Sequence, residues 1–139
     1  MSKSIYATPE EAEAAFYRAF ESTDLEAMMR VWYRDEAIVC IHPGGPRLEG
    51  PEEVRSGWKA VFDSGQRLRF SLRDQIRTRD ALLSIHLVKE YVHVSGVLRG
   101  VVLATNVYQQ VGGGWYMILH HASPEPVSQV ERLESEAVH

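Results

Sequence analysis

The chain predicts an α+β domain: two helices, one strand, a third helix, then a meander of long antiparallel strands. Three observations carry this. Three helix starts are each followed by apolar residues at helical spacing. No helix signal returns after Gly65 until the tail, and from Leu68 onward apolar and polar residues alternate with a period of two.

Thr8, Pro9 and Glu11 form a helix start, with a hydroxyl at the N-cap, proline at N1 and a carboxylate at N3. Ala12, Ala15, Phe16, Ala19 and Phe20 then form an apolar stripe. Thr23 and Glu26 repeat the capping pattern before a short helix carrying Leu25, Met28, Met29 and Trp32. Residues 37–42 read as a buried strand, because Ile38, Val39, Cys40 and Ile41 are apolar and largely β-branched, and Pro43 to Pro46 end it. A short strand at 47–49 follows. Gly50 and Pro51 open the third helix, with Val54, Trp58, Val61 and Phe62 on one face and Gly65 as its stop.

Leu68, Phe70, Leu72 and Ile76 alternate with Arg67, Arg69, Ser71, Arg73 and Arg77, the pattern of a strand with one wet face. The arginines read as a solvated ridge that discourages edge-to-edge aggregation. Residues 82–94, 98–111 and 115–122 are three further strands, turned by Arg79 and Asp80, by Ser95 and Gly96, and by three consecutive glycines. Strands this long coil a sheet strongly, so the helices fit in its concave side. One domain over 1–124 and a tail over 125–139 are expected.

The chain has 139 residues and 45% hydrophobic content, enough for one core, and its net charge of -4 gives no electrostatic footprint for nucleic acid. One cysteine, Cys40, makes no internal disulfide, and no apolar run is long enough for a signal peptide or a membrane span. A soluble, reduced, cytoplasmic protein is expected.

His42 stands at a strand mouth before the Pro-Gly turn, and Asn106 and His121 lie on later, otherwise apolar strands. Dry walls with a few aimed polar groups are what a small-molecule cavity needs. Alternation puts Trp115, Met117, Leu119, His121 and Ser123 on one face of the last strand and Tyr116, Ile118 and His120 on the other. Two registers are open to residues 82–94: one turns His86 and Glu90 inward, and the other turns Leu83, Ile85, Leu87 and Tyr91 inward. Cys40 shares a face with His42, but a lone buried cysteine is usually a small apolar filler. His42, His86, Glu90 and His121 lack the close spacing of a metal motif, so no metal and no cofactor is assigned.

The element order, with Tyr33-Arg34-Asp35-Glu36-Ala37, His42-Pro43-Gly44-Gly45, Leu48-Glu49-Gly50, Ala104-Thr105-Asn106-Val107 and the run from Gly114-Trp115 to His121, resembles the SnoaL-like branch of the nuclear transport factor 2-like superfamily. Within that branch it is similar to small bacterial proteins likened to the calcium/calmodulin-dependent kinase association domain. The resemblance implies a cone-shaped fold with a central cavity, a curved sheet wrapped around the first helix, and a homodimer joined through the sheet. If its register holds, the His121 face looks into the cavity and His120 lies outside. In the related ketosteroid isomerases the base is an aspartate just before a proline, with a helix tyrosine and a protonated aspartic acid as oxyanion donors. Those positions fall here on His42, Phe16 and Asn106, and the missing tyrosine argues against steroid-type isomerisation.

The expected site is therefore His42 or His121 as acid/base and Asn106 as oxyanion donor. Phe16, Phe20, Trp32, Cys40, Trp58, Phe62, Glu90, Tyr108, Trp115 and Ser123 are its expected ligand-binding residues. The substrate class is a carbonyl-containing apolar compound. A non-catalytic ligand-binding or oligomerisation module is the alternative, and neither nucleic acid nor membrane is an expected partner.

Overall fold

A computed structural model describes residues 6–126 of the chain. The elements are α1 (Pro9–Ser22), α2 (Leu25–Val31), β1 (Val39–Ile41), β2 (Leu48–Glu49), α3 (Gly50–Asp63), β3 (Leu68–Arg79), β4 (Leu83–Val94), β5 (Val97–Val111) and β6 (Gly114–Pro124). The six strands form one sheet in the order β2-β1-β6-β5-β4-β3, antiparallel except where β1 lies parallel to β6. The predicted order of elements is the observed one.

The caps explain where the helices begin and end. Thr8 accepts a hydrogen bond from the Glu11 N–H, and Glu11 Oε1 accepts one from the Ala7 N–H, both at 3.1 Å. The N-cap of α2 is Asp24, which accepts from the Ala27 N–H at 3.0 Å. Thr23, the predicted N-cap, instead closes α1 in the left-handed conformation. A hydroxyl and a carboxylate side by side compete for the cap, and the free N–H groups fall within reach of the second.

Phe16, Phe20 and Trp58 meet edge to face with centroids 4.8 to 6.0 Å apart, and Tyr17, Phe62 and Phe70 extend the cluster. Aromatic packing thus fills the space between the sheet and the helices α1 and α3. The arginines of β3 are more than a solvated ridge. Arg69, Arg77 and Arg79 pair with Glu21, Glu13 and Glu10 of α1, and Arg73 lies over the Tyr91 ring at 4.5 Å. The edge strand is clamped to the helix by opposite charge. Glu125, placed by the sequence at the start of the tail, is held by its N–H to Val101 O and by its carboxylate to Lys89 Nζ at 3.0 Å. The rest of the predicted tail, 127–139, lies outside the described residues.

Phe16 is fully buried against Tyr17, Phe20, Trp58 and His120. Phe16→Ala should therefore lower unfolding stability by about 3 to 5 kcal/mol in urea titration. A loss below about 1 kcal/mol would mean that α1 is not docked as described.

Candidate functional site

The inner face of the sheet carries a polar row. Along β4, Ser84, His86, Val88 and Glu90 are buried while Leu83, Ile85 and Leu87 face outward, which settles the two open registers. His86 pairs across the sheet with Asn106, Asn106 with His120, and His120 with Cys40. All four are essentially inaccessible. Hydrophobicity alone favours the opposite register for β4. The polar face turns inward because α1 brings Glu13 and Tyr17, one helical turn apart, to meet His86 and Glu90.

Two connected networks result. In the first, the Tyr17 hydroxyl donates to Glu90 Oε2 at 2.5 Å and accepts from Asn106 Nδ2 at 2.9 Å, and His120 Nδ1 lies 2.6 Å from Asn106 Oδ1. The directions are fixed. An amide nitrogen only donates, so the proton of Tyr17 can go only to the carboxyl group. Asn106 Oδ1 only accepts, so His120 carries its proton on Nδ1 and leaves Nε2 bare. Burial, with smaller contributions from His42 and His121, holds the His120 pKa down to about 3, so the ring is neutral at physiological pH. Burial pushes Glu90 up to about 7 against the opposing Tyr17 hydrogen bond, and burial followed by the nearby Glu90 raises Tyr17 well above the usual phenol range.

In the second network, His86 Nδ1 sits 3.0 Å from Glu13 Oε2, and Ser84 Oγ sits 2.9 Å from His86 Nε2. Arg77 bonds the other Glu13 oxygen at 3.0 Å. Burial works to raise the Glu13 pKa, but hydrogen bonds from His86 and Arg77, and their charges, outweigh it and leave the pKa lowered. Ser84 is inaccessible, so this serine, histidine and carboxylate set is a structural network in this state. The Tyr108 hydroxyl beside His86 is buried without a partner among the described residues.

The first network ends beside His42. This half-buried imidazole packs edge-on against Trp58 at 4.6 Å, with the His120 ring 6.2 Å away and Cys40 Sγ 3.6 Å from Nε2. Burial lowers the His42 pKa and raises Cys40 to about 12, so the pair is neutral and the thiol is no nucleophile. Gly57 of α3 lets the helix lie this close: a Cβ there would strike Leu48 Cδ1 and reach 3.4 Å from His42 Nε2. The Trp58 Nε1–H is buried and unpartnered.

Of the sequence-predicted site, His42, Cys40, Asn106, Glu90, Phe16, Phe20, Trp58, Phe62 and Tyr108 are buried or half-buried on the side of the sheet that the helices cover. His121 and Ser123 do not: both are exposed on the outer face, lining a groove of about 360 Å³ with Leu87, Lys89 and Leu103. The correction has one physical cause. Val107 pairs with Leu119 and Tyr108 with Met117, so Ile118 is an extra residue, a β-bulge that inverts the alternation after Met117. Trp115 and Met117 point inward as predicted, whereas beyond the bulge the inward residues are His120 and Ala122. Trp115 lies near the Arg79 guanidinium, 5.9 Å from it, and Trp32 belongs to a wall between α2 and α3. Asn106 has its amide committed to Tyr17 and His120 and so positions them. Tyr17, Glu13, His86 and Ser84 are additional network residues. Tyr17, next to Phe16, is the helix tyrosine that reaches this network. The signal for it was the pair Glu13 and Tyr17 interrupting the polar-apolar pattern of α1 at helical spacing. Among the described residues no three His, Cys, Asp or Glu side chains converge as metal ligands.

The raised pKa of Glu90 predicts a pH signature. Folding favours the protonated acid, so the contribution is fully present below the unfolded value of 4.5 and is lost as pH rises through about 7. Relative to wild type, Glu90→Gln should therefore gain up to roughly 3 kcal/mol between pH 4.5 and pH 8 in paired urea titrations. An unchanged difference across that range would mean that Glu90 ionises without penalty.

The model of the SnoaL-like domain matches residues 10–128. A Thiobacillus denitrificans protein, provisionally assigned as a calcium/calmodulin-dependent protein kinase type II association domain, superposes with a TM-score of 0.84 and 41% identity, covering 89% of this chain and 100% of that one. A protein of the NTF2-like family from Streptomyces avermitilis, provisionally assigned as a dehydratase, gives 0.76 and 28%, over 86% and 99%. The F-box protein SKIP8 of Arabidopsis thaliana is 32% identical over 111 residues, 78% of this chain, which spans about half (46%) of that longer relative. With the α+β fold and these likenesses together, the chain belongs to the SnoaL-like domain family.

Proposed function

We propose that the domain binds a small carbonyl-containing apolar compound at the His42 end of the buried chain and performs acid/base chemistry on it. The observation that carries this is a hydrogen-bond donor and an acceptor on neighbouring rings in an aromatic surround. The bare His120 Nε2, fixed through Asn106, Tyr17 and Glu90, belongs to a ring tilted against that of Trp58 with centroids 5.8 Å apart, and the Trp58 N–H has no partner among the described residues. A carbonyl oxygen would take the Trp58 N–H, and a hydroxyl or enol would donate to His120 Nε2. His42, the imidazole of this cluster that solvent reaches, serves as the base that moves the proton. The NTF2-like relative assigned as a dehydratase supports chemistry of this kind.

The test is α-hydrogen exchange in D2O, followed by proton NMR, on a panel of enolisable aryl and cyclic ketones. His42→Ala should slow exchange by about 100-fold or more while leaving the fold intact. Because the His42 pKa is lowered, the rate should stay level near neutral pH and fall only at pH below the ordinary histidine range. Binding without exchange would leave a ligand-binding module. Absence of any saturable shift at His42 and His120 would remove the small-molecule reading.

We also propose a homodimer through the outer face of the sheet. Ile76, Leu83, Ile85, Leu87 and Leu103 are all more than a third exposed there, more apolar surface than one side of a sheet normally shows to water. The expectation is a dimer at micromolar concentration by sedimentation velocity, converted to monomer by Ile85→Glu. A monomeric wild type would overturn it.

A further inference from the structure

Between α2, the turn after it and the first turn of α3 lies a groove of about 330 Å³. Its walls carry three arginines. Arg55 is held by Glu26 through two nitrogens, at 2.5 and 3.4 Å, so that pair is neutral. Arg30 and Arg34 are exposed and make no ion pair among the described residues. Against them the groove sets only Glu52, which leaves it one positive charge in a chain whose net charge is -4.

A further feature points to a ligand with both an anionic and an apolar part. Trp32 and Tyr33 line the groove, and Trp32 is 2% exposed yet has no partner for its indole N–H among the described residues. A buried donor left unpaired costs free energy, and a ligand oxygen is one way to satisfy it.

We propose that this groove is a binding site for a small organic anion with a flat apolar body, such as an aromatic carboxylate. Arg30, Arg34 and the Trp32 N–H take the anionic oxygens, and Met29 and Tyr33 take the body. The volume suits a single ring with its carboxylate. The site is separate from the His120 chain, and either reading can fail without the other.

The test uses the full 15N-labelled chain and follows the Trp32 indole cross-peak, assigned through Trp32→Phe. Benzoate should shift it saturably with a midpoint of roughly millimolar, and benzamide, the neutral isostere, should bind about tenfold or more weakly. Arg30→Ala and Arg34→Ala should each weaken benzoate while the dispersed spectrum stays unchanged, since both side chains are exposed; Arg34→Lys should restore part of the affinity. Inorganic phosphate shifting the peak where benzoate does not would overturn the apolar half of the proposal. No saturable shift with either probe, equal binding of benzamide and benzoate, or unaltered binding in both alanine variants would overturn the whole.

Discussion

Glu13 and Tyr17 lie one turn apart on α1, and His86 and Glu90 lie four residues apart on the inner face of β4. The meeting of these two pairs determines which face of β4 is core. Without it, the Leu83, Ile85 and Leu87 side would be the natural one to bury, and every inward assignment on the sheet would invert. A buried carboxylate and imidazole each cost several kcal/mol if left bare, so the contact is tolerable only because every member finds a partner. Glu13 takes His86 and Arg77, and Glu90 takes Tyr17. Helix and sheet are thus joined by polar contacts inside an otherwise aromatic core.

The same network sets the character of the candidate site. The chain of single-direction hydrogen bonds from His120 to Glu90 leaves no freedom in the His120 tautomer. Packing by Phe16 and Trp58 holds the ring in place. A neutral imidazole with one committed nitrogen is a hydrogen-bond acceptor of fixed aim. His42, less buried and bonded only to a thiol, keeps the freedom to change protonation. Two histidines of one cluster therefore differ in role through environment alone.

Most of the fold was legible because caps, helical stripes and period-two strands are local signals. Thr8, Pro51 and the glycines at 112–114 mark their turns without help from tertiary structure. The site was legible only in part. His42 and Asn106 stood out as polar groups in apolar strands, but period-two counting fails across a bulge, and nothing in the run Met117-Ile118-Leu119 announces that Ile118 is the extra residue. The face of β4 was likewise hidden, since it is settled by partners 73 residues away on α1. The acidic ladder of α1 and the arginines of β3 were each visible as charge, and their pairing was not.

The row His86, Asn106, His120 and Cys40 crosses four strands at one level of the sheet. Apolar residues tolerate sliding, because one leucine substitutes for another at modest cost. An amide and two imidazoles do not, since a slip of one residue anywhere along β4, β5 or β6 would strand a buried donor or acceptor. The row therefore acts as a proofreading mark for strand assembly. Misregistered sheets carry an energetic penalty that the apolar positions alone would not impose, so the Ile118 bulge is held in place by the very histidine it turns inward.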